Sequence, residues 1–273
     1  MAQQNSVSHS ANGTVQSVKR QIAGYRYPLG FLVVLLTAWT GGVRLFDIPV
    51  FILPTPFEIA VSFQGELGNL LPHIGWTFFE ALTGWFVGSG IGIVLGFAMA
   101  ESERIQKSLY PYVIMLRSIP IIAVAPLLIL WFGINIYPIL AAAIITSFFP
   151  ALVNSITGFS ATDNLTEELM YSYDASRWQV FRHVQIYNAL PYIFSALKIN
   201  VALSLVGAIV GEWLVANEGL GYLILVASNQ VNTLLLFRAL IVIGVIAATW
   251  FTILLYLEDR LIHWEGDTNA GKR

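Results

Sequence analysis

Residues 159–191 read FSATDNLTEELMYSYDASRWQVFRHVQIYNALP. They form the longest polar interruption between two strongly apolar segments, and they carry Asp163, Glu167, Glu168 and Asp174 in a chain that is only 11% charged. Asp163 or Asn164 suits a helix start, with Glu167 and Glu168 in the first turns, where the helix dipole favours anions. Leu165, Leu169 and Tyr173 follow at i, i+4 and i+8 and give one apolar face. That helix is expected to end near Asp174. Ser176-Arg177-Trp178-Gln179 then has the form of a capping box for a second helix. In it Trp178, Phe181 and Val184 make an apolar stripe, while Arg177, Arg182 and Gln185 face elsewhere. Pro191 marks the entry to the next apolar run. Helix, turn, helix is a compact device rather than a slack linker. Two short amphipathic helices can lie on lipid headgroups or fit a cleft in a soluble partner, and these residues alone leave both readings open.

The flanking sequence decides what the loop interrupts. The chain has 273 residues, is 56% hydrophobic, and has a mean hydropathy of +0.70. A soluble domain carries about a quarter charged residues, so a soluble globular protein is excluded. A net charge of −2 gives no case for nucleic acid. Cysteine is absent, which excludes disulfides, thiolate metal sites and cysteine nucleophiles. Apolar runs of about 20 residues suit a hydrocarbon core about 30 Å thick. Such runs fall at about 28–46, 76–99, 109–133, 137–158, 190–214 and 236–257. They predict an all-α, polytopic membrane bundle of about six transmembrane helices. Arg117, Pro120 and Pro126 interrupt the third run, so a broken or tilted element is expected there.

The expected organisation is a polar tail over 1–27, a transmembrane domain over 28–258 with the loop 159–190 inside it, and a second polar tail over 259–273. No short apolar core with a small-residue cleavage site precedes the first run, which reads as an uncleaved span. With the N-terminus inside, the loops and tails on the cytoplasmic side hold Lys19, Arg20, Arg26, Arg104, Lys107, Arg177, Arg182, Arg260, Lys272 and Arg273. Only Arg44 and Arg238 fall on the outer side, so the positive-inside rule predicts both termini in the cytoplasm.

Several residues inside the spans stand out. Gly84, Gly88, Gly92 and Gly96 repeat every fourth residue, which makes a flat groove where another helix can come close. The groove serves either packing within the chain or a face that slides during a transport cycle. Glu80 and Glu212 lie near the outer ends of the second and fifth spans. Ionisable groups there mark function, unless they reach the interface or bond a neighbouring helix. Asn200 and Ser204 lie one turn apart on one face and either line a polar path or bridge helices. Leu53-Pro54-Thr55-Pro56 reads as extended chain leading to a helix with Pro in its first turn. Glu218-Gly219-Leu220-Gly221-Tyr222 reads as a tight re-entrant turn before a short amphipathic helix. Catalytic and metal-binding patterns such as His-Glu-x-x-His and Gly-x-Ser-x-Gly are absent, and His9, His73, His183 and His263 lie outside span centres.

The order of residues from Glu168 to Pro191 resembles the cytoplasmic loop of type I ABC importer permeases, which runs Glu-Ala-Ala, three further residues and then a glycine. Here Glu168-Leu169-Met170 stand at the start and Asp174 stands where the glycine would be. Ala175-Ser176-Arg177-Trp178-Gln179 match the continuation, and Ala189-Leu190-Pro191-Tyr192-Ile193 the entry to the next span. Tyr187 sits where many members carry a proline. Leu53-Pro54-Thr55-Pro56, Arg117-Ser118-Ile119-Pro120 with Ala125-Pro126-Leu127 and Trp131-Phe132-Gly133, and Gly211-Glu212 with Gly219-Leu220-Gly221-Tyr222 are similar to the nitrate, sulfonate, taurine and bicarbonate subfamily.

The resemblance implies a permease subunit that forms the solute path of an ATP-driven importer in the bacterial inner membrane. It implies a second permease subunit, two ATPase subunits and an extracytoplasmic solute-binding protein. Glu168, Leu169, Met170, Asp174, Ala175, Ser176, Arg177 and Trp178 would then dock on the ATPase. Ser118, Asn200, Ser204 and Glu212 are candidates for the path. No Gly-x-x-x-x-Gly-Lys-Ser/Thr loop is present, so ATP and its Mg are expected on the partner subunit and not on this chain. The rival reading, a secondary transporter or channel, should show inverted repeats or a charged relay across the midplane. The subfamily moves small anions, and close relatives move thiamine-precursor pyrimidines and riboflavin. Gly211-Glu212-Trp213, with Ala227-Ser228 and Thr233 beyond the Gly-Leu-Gly turn, leans toward the heterocycle group, and a carboxylate at 212 is also a poor lining for an anion.

Overall fold

The computed structural model describes residues 26–264. Of the predicted tails, residues 1–25 and 265–273 lie outside the described residues. The described chain forms two compact parts that divide after Gln64.

The first part holds α1, Arg26–Leu45, long and apolar enough to cross a membrane. The short α2, Pro56–Ser62, follows an extended stretch. Thr55 caps α2, Pro56 starts it, and Glu58 reaches back to the Thr55 N–H at 2.7 Å and hydroxyl at 2.8 Å. These bonds, the backbone one foremost, hold the Glu58 carboxyl below the usual carboxylate range. The helix start expected at Leu53-Pro54-Thr55-Pro56 is therefore present as a reciprocal capping box.

The second part begins with α3, Leu67–Ala100, followed by α4, Glu103–Arg117, and α5, Ile121–Phe132. Next come α6, Tyr137–Ser160, α7, Asn164–Ser172, and α8, Arg177–Val180. A π turn over Phe181–Gln185 joins α8 to α9, Ile186–Val215. The last helices are α10, Leu220–Asn229, and α11, Thr233–Leu261. Among the described residues five helical runs are long and apolar enough to cross a membrane, or six if α4 and α5 count as one span bent by 98°. The break falls at Ser118–Pro120, as Pro120 demands: it lacks an N–H for a continuing helix and takes an extended φ/ψ of −60°/130°.

Three expectations change. The second span is longer than 76–99, because α3 runs through nine earlier residues, with Pro72 in its second turn. The fifth span does not start at Pro191. Arg177–Val215 is one helical run of 39 residues with Pro191 inside it. A π turn over Phe181–Gln185 lies within the same run, ahead of Pro191. The segment after the re-entrant turn, LGYLILVASN, is largely apolar rather than amphipathic.

The core of the second part is α3, α6 and α9 stacked at close range, with α11 against them. Ala81, Ile139, Ala143, Val201, Leu205, Ala208, Trp250 and Leu254 form its main apolar cluster. Small residues set the distance. Cβ atoms built on Gly88, Gly92 and Gly96 would lie 2.9, 2.8 and 2.6 Å from the Cβ atoms of Ser147, Ala151 and Ser155, and one on Gly84 would overlap Ala143. Gly207 and Gly211 of α9 meet Ala143 and Ile139 of α6 in the same way. The glycine row of α3 thus lies against α6 within the chain, and α6 is gripped on two sides. Such close approach is how helices associate where lipid removes the usual hydrophobic drive. Lys198 of α9 and Glu258 of α11 add an ion pair at 2.6 Å, each side chain largely buried.

Candidate coupling surface and transport cleft

The loop 159–190 builds two short helices for local reasons. The Asp163 side chain accepts from Leu165 N at 3.3 Å and starts α7. Asp174 N–H bonds Tyr171 O at 3.0 Å and Ala175 N–H bonds Met170 O at 3.1 Å. Those two bonds close α7 as a Schellman motif, whose first outer residue takes the left-handed conformation. That residue is Asp174, at φ +59°. Asp stands in the conformation a glycine adopts freely, and its short polar side chain tolerates it. Asp174→Gly is expected to keep the fold and its melting temperature or raise it slightly, whereas Asp174→Val is expected to cost about 1–2 kcal/mol, read from thermal unfolding in detergent. Ser176 and Gln179 form the expected capping box of α8, with Gln179 Oε1 accepting from Ser176 N at 2.7 Å.

The loop is anchored by its interior side. Val180 is buried. The Phe181 ring lies 4.6 Å from Phe97 at the end of α3 and 6.3 Å from Phe159 at the end of α6. Gln185 donates to Glu167 Oε1 at 3.1 Å and ties α7 to the following helical run. The other side is open. Leu165, Leu169 and Tyr173 share the face their spacing predicts, and that face points outward. Tyr173 is 80% and Trp178 64% exposed. Of the predicted stripe, Trp178 and Phe181 meet with ring centroids 5.3 Å apart, and Phe181 and Val184 are half-buried while Trp178 stays exposed at the edge. Between loop and bundle lies a cleft of about 600 Å³, with Glu101, Glu167, Tyr171, Arg177 and Trp178 in its walls.

A second cleft, of about 410 Å³, opens at the α4–α5 bend against α6 and α9. Arg117, Pro120, Thr146, Phe149, Asn154 and Leu203 are among its walls. Thr146 and Asn154 are polar residues in an apolar span, the signal that singled out Asn200, and they are the wall residues that sequence reasoning missed. Ser118 is exposed beside the bend, and its hydroxyl donates to Ile114 O at 3.0 Å. Asn200 is fully buried and donates to Ser89 Oγ at 2.8 Å and Ser147 O at 2.6 Å, so in this conformation it bridges α9 to α3 and α6. Ser204 is buried one turn on, bonded to Val201 O at 3.1 Å. Glu212 accepts from the Thr77 hydroxyl and from Gly221 N, both at 2.5 Å. Glu80 and Glu212 do not reach an interface. Both are buried. Thr77 and His73, which hold the start of α10 together with Glu212, gave no signal in sequence, because their partners are backbone N–H groups more than 140 residues away.

Residues 88–263 match the family described as binding-protein-dependent transport system inner membrane component, and the chain belongs to that family. It is similar to the riboflavin transport system permease protein RibX of Chloroflexus aurantiacus, with 37% identity over 86% of this chain and 88% of that one. The formylaminopyrimidine transport permease protein ThiX of Halalkalibacterium halodurans is 32% identical over 87% of this chain and 95% of that one. The taurine transport system permease protein TauC of Escherichia coli is 27% identical over 88% and 90%. An inward-facing structure of the MetNI methionine ABC transporter matches with a TM-score of 0.56 at 16% identity. It covers 74% of this chain and 96% of that one, a likeness of fold.

Proposed function

We propose that this permease is the membrane subunit of an ATP-driven importer that takes up a small heterocyclic solute of the pyrimidine or flavin kind. Two permease subunits, two ATPase subunits and an extracytoplasmic solute-binding protein make the working assembly, in a bacterial inner membrane with both permease termini in the cytoplasm. The carrying observation is the outward-facing pair α7–α8, joined without a break to α9 and pinned by Phe181 to the ends of α3 and α6. Glu168, Leu169, Met170, Asp174, Ala175, Ser176, Arg177 and Trp178 present to the ATPase, which holds ATP and its Mg. Closure of the ATPase pair moves α7–α8, and with them α9 and the cleft beside the bend, so the chain exchanges between two states of access. The solute passes the Arg117–Asn154 cleft. Ser118, Asn200, Ser204 and Glu212 keep its walls in place. The heterocycle reading is supported by 37% and 32% identity to proteins named for riboflavin and formylaminopyrimidine, against 27% for one named for taurine.

Ala175→Arg tests the docking face. In cells expressing the full set of subunits, the variant is expected to stay in the membrane, to lose the ATPase on affinity purification and to take up solute at background rate. Retention of both ATPase and uptake would refute docking through this loop. Titrating the binding protein with pyrimidines, flavins, taurine and nitrate tests the solute class, and binding of the anions alone would refute the heterocycle reading.

A further inference from the structure

Two carboxyl groups meet inside the bundle. Glu80 of α3 is 3% exposed and Glu212 of α9 is 1% exposed, and the two carboxyl groups lie within range of each other's charge. Among the described residues no ion pair reaches either one. Lys198 is engaged by Glu258, and Arg238 lies toward Glu66 at 3.6 Å. Both oxygens of Glu212 already accept, Oε1 from Thr77 and Oε2 from Gly221. Glu80 Oε2 is buried and finds no donor. Two ionised carboxylates have only acceptors to offer each other, and their like charges repel at this range.

We propose that Glu80 and Glu212 hold one proton between them, Glu80 as the neutral acid donating to the Glu212 carboxylate, and that this pair latches the start of α10 onto α3 and α9. The remaining negative charge belongs on Glu212 because of what surrounds it. Three successive N–H groups at the start of α10 point to side chains: Gly219 to His73 Nδ1 at 3.0 Å, Leu220 to Thr77 Oγ1 at 2.7 Å and Gly221 to Glu212. A helix N-terminus favours an anion at that place. The approach is so close that a Cβ on Gly221 would lie 2.6 Å from Glu212 Oε2. The other titratable groups around the pair are few. His73 accepts at Nδ1 and stacks on Tyr222, with ring centroids 6.2 Å apart. Glu218 stands in the turn, and α6 presents Ile139, Ala142 and Ala143 to the same stretch of α9. The latch is independent of which solute is carried and of how the ATPase docks.

The purified chain in detergent tests it without transport. At neutral pH the infrared spectrum is expected to show the carbonyl band of an un-ionised carboxylic acid, and Glu80→Gln is expected to remove it. Glu80→Gln keeps a donor toward Glu212, so its melting temperature should stay near that of the wild type at neutral pH. Glu80→Ala should melt lower throughout. Glu212→Gln turns an amide NH₂ toward Thr77 or Gly221 and should melt lowest. No un-ionised band in the wild type, a band that survives Glu80→Gln, or Glu80→Gln melting below Glu80→Ala would each overturn the proposal. If neither variant folds, the wild-type spectrum alone decides.

Discussion

A Gly92→Leu chain is expected to be made and then to melt far below the wild type or to be cleared from the membrane. A Gly90→Leu chain, altered two residues away on the same helix, should behave as wild type. The contrast follows from what each position faces. A Cβ on Gly92 would lie 2.6 Å from Phe148 O, 2.8 Å from Ala151 Cβ and 2.9 Å from Leu152 N, whereas one on Gly90 meets nothing within 4 Å. Two of the three obstacles at Gly92 are backbone atoms, which cannot rotate away. The α3–α6 contact must therefore part, with loss of packing along its length. Overpacking of this kind costs about 1–3 kcal/mol where side chains can give way, and here backbone stands in the way and Leu adds three carbons beyond Cβ. Gly92→Ala should fall between the two. Fluorescence-detected size exclusion after a temperature ramp gives the order. Equal melting of the Gly90 and Gly92 variants would mean that α3 does not pack on α6 as described.

Lys198→Met is expected to destabilise by about 3 kcal/mol, and Lys198→Met combined with Glu258→Met by less than about 1 kcal/mol. The two side chains meet at 2.6 Å and are only 19% and 20% exposed, so water cannot compensate a lone Glu258. Removing one partner strands a charge in a poorly solvated place; replacing both with apolar chains of similar length restores packing between α9 and α11. Thermal unfolding of the wild type, both single variants and the double variant gives the coupling directly. Single effects that simply add in the double variant would show that the pair is not coupled.

The residues differ in how much they disclosed in advance, and the difference is physical. The capping box at Ser176–Gln179 and the helix start at Thr55-Pro56 were legible because caps are set by residues within three or four of one another. The spans were legible because hydrocarbon demands long apolar runs. The bend at Pro120 was expected, though not its 98°. Trp178 and Phe181 were legible as neighbours because they stand three apart on a helix, but that Phe181 packs on Phe97 while Trp178 stays exposed depends on tertiary structure. The glycine row announced close packing, but nothing in α3 says that α6 is the neighbour. Least legible was the set at the start of α10. His73 and Thr77 look ordinary in a helix, and only tertiary structure brings them to the N–H groups of Gly219 and Leu220. Asn200 and Ser204 were visible as polar residues in an apolar run. Whether they faced a path or another helix depended on that same packing.

The unbroken run from Arg177 to Val215 makes a mechanical point. At about 1.5 Å per residue it is a rod of about 58 Å, with Trp178 near one tip and Glu212 near the other. Asn200, bonded to Ser89 and Ser147, sits part way along it like the pin of a seesaw. For a stiff beam on such a pin, a rocking of about 10° sweeps the loop tip through about 6 Å and the far tip through about 4 Å, in opposite directions. One lever would then reach both rims of the bundle, its gripped end at the loop and its far end at the turn that Glu212 holds.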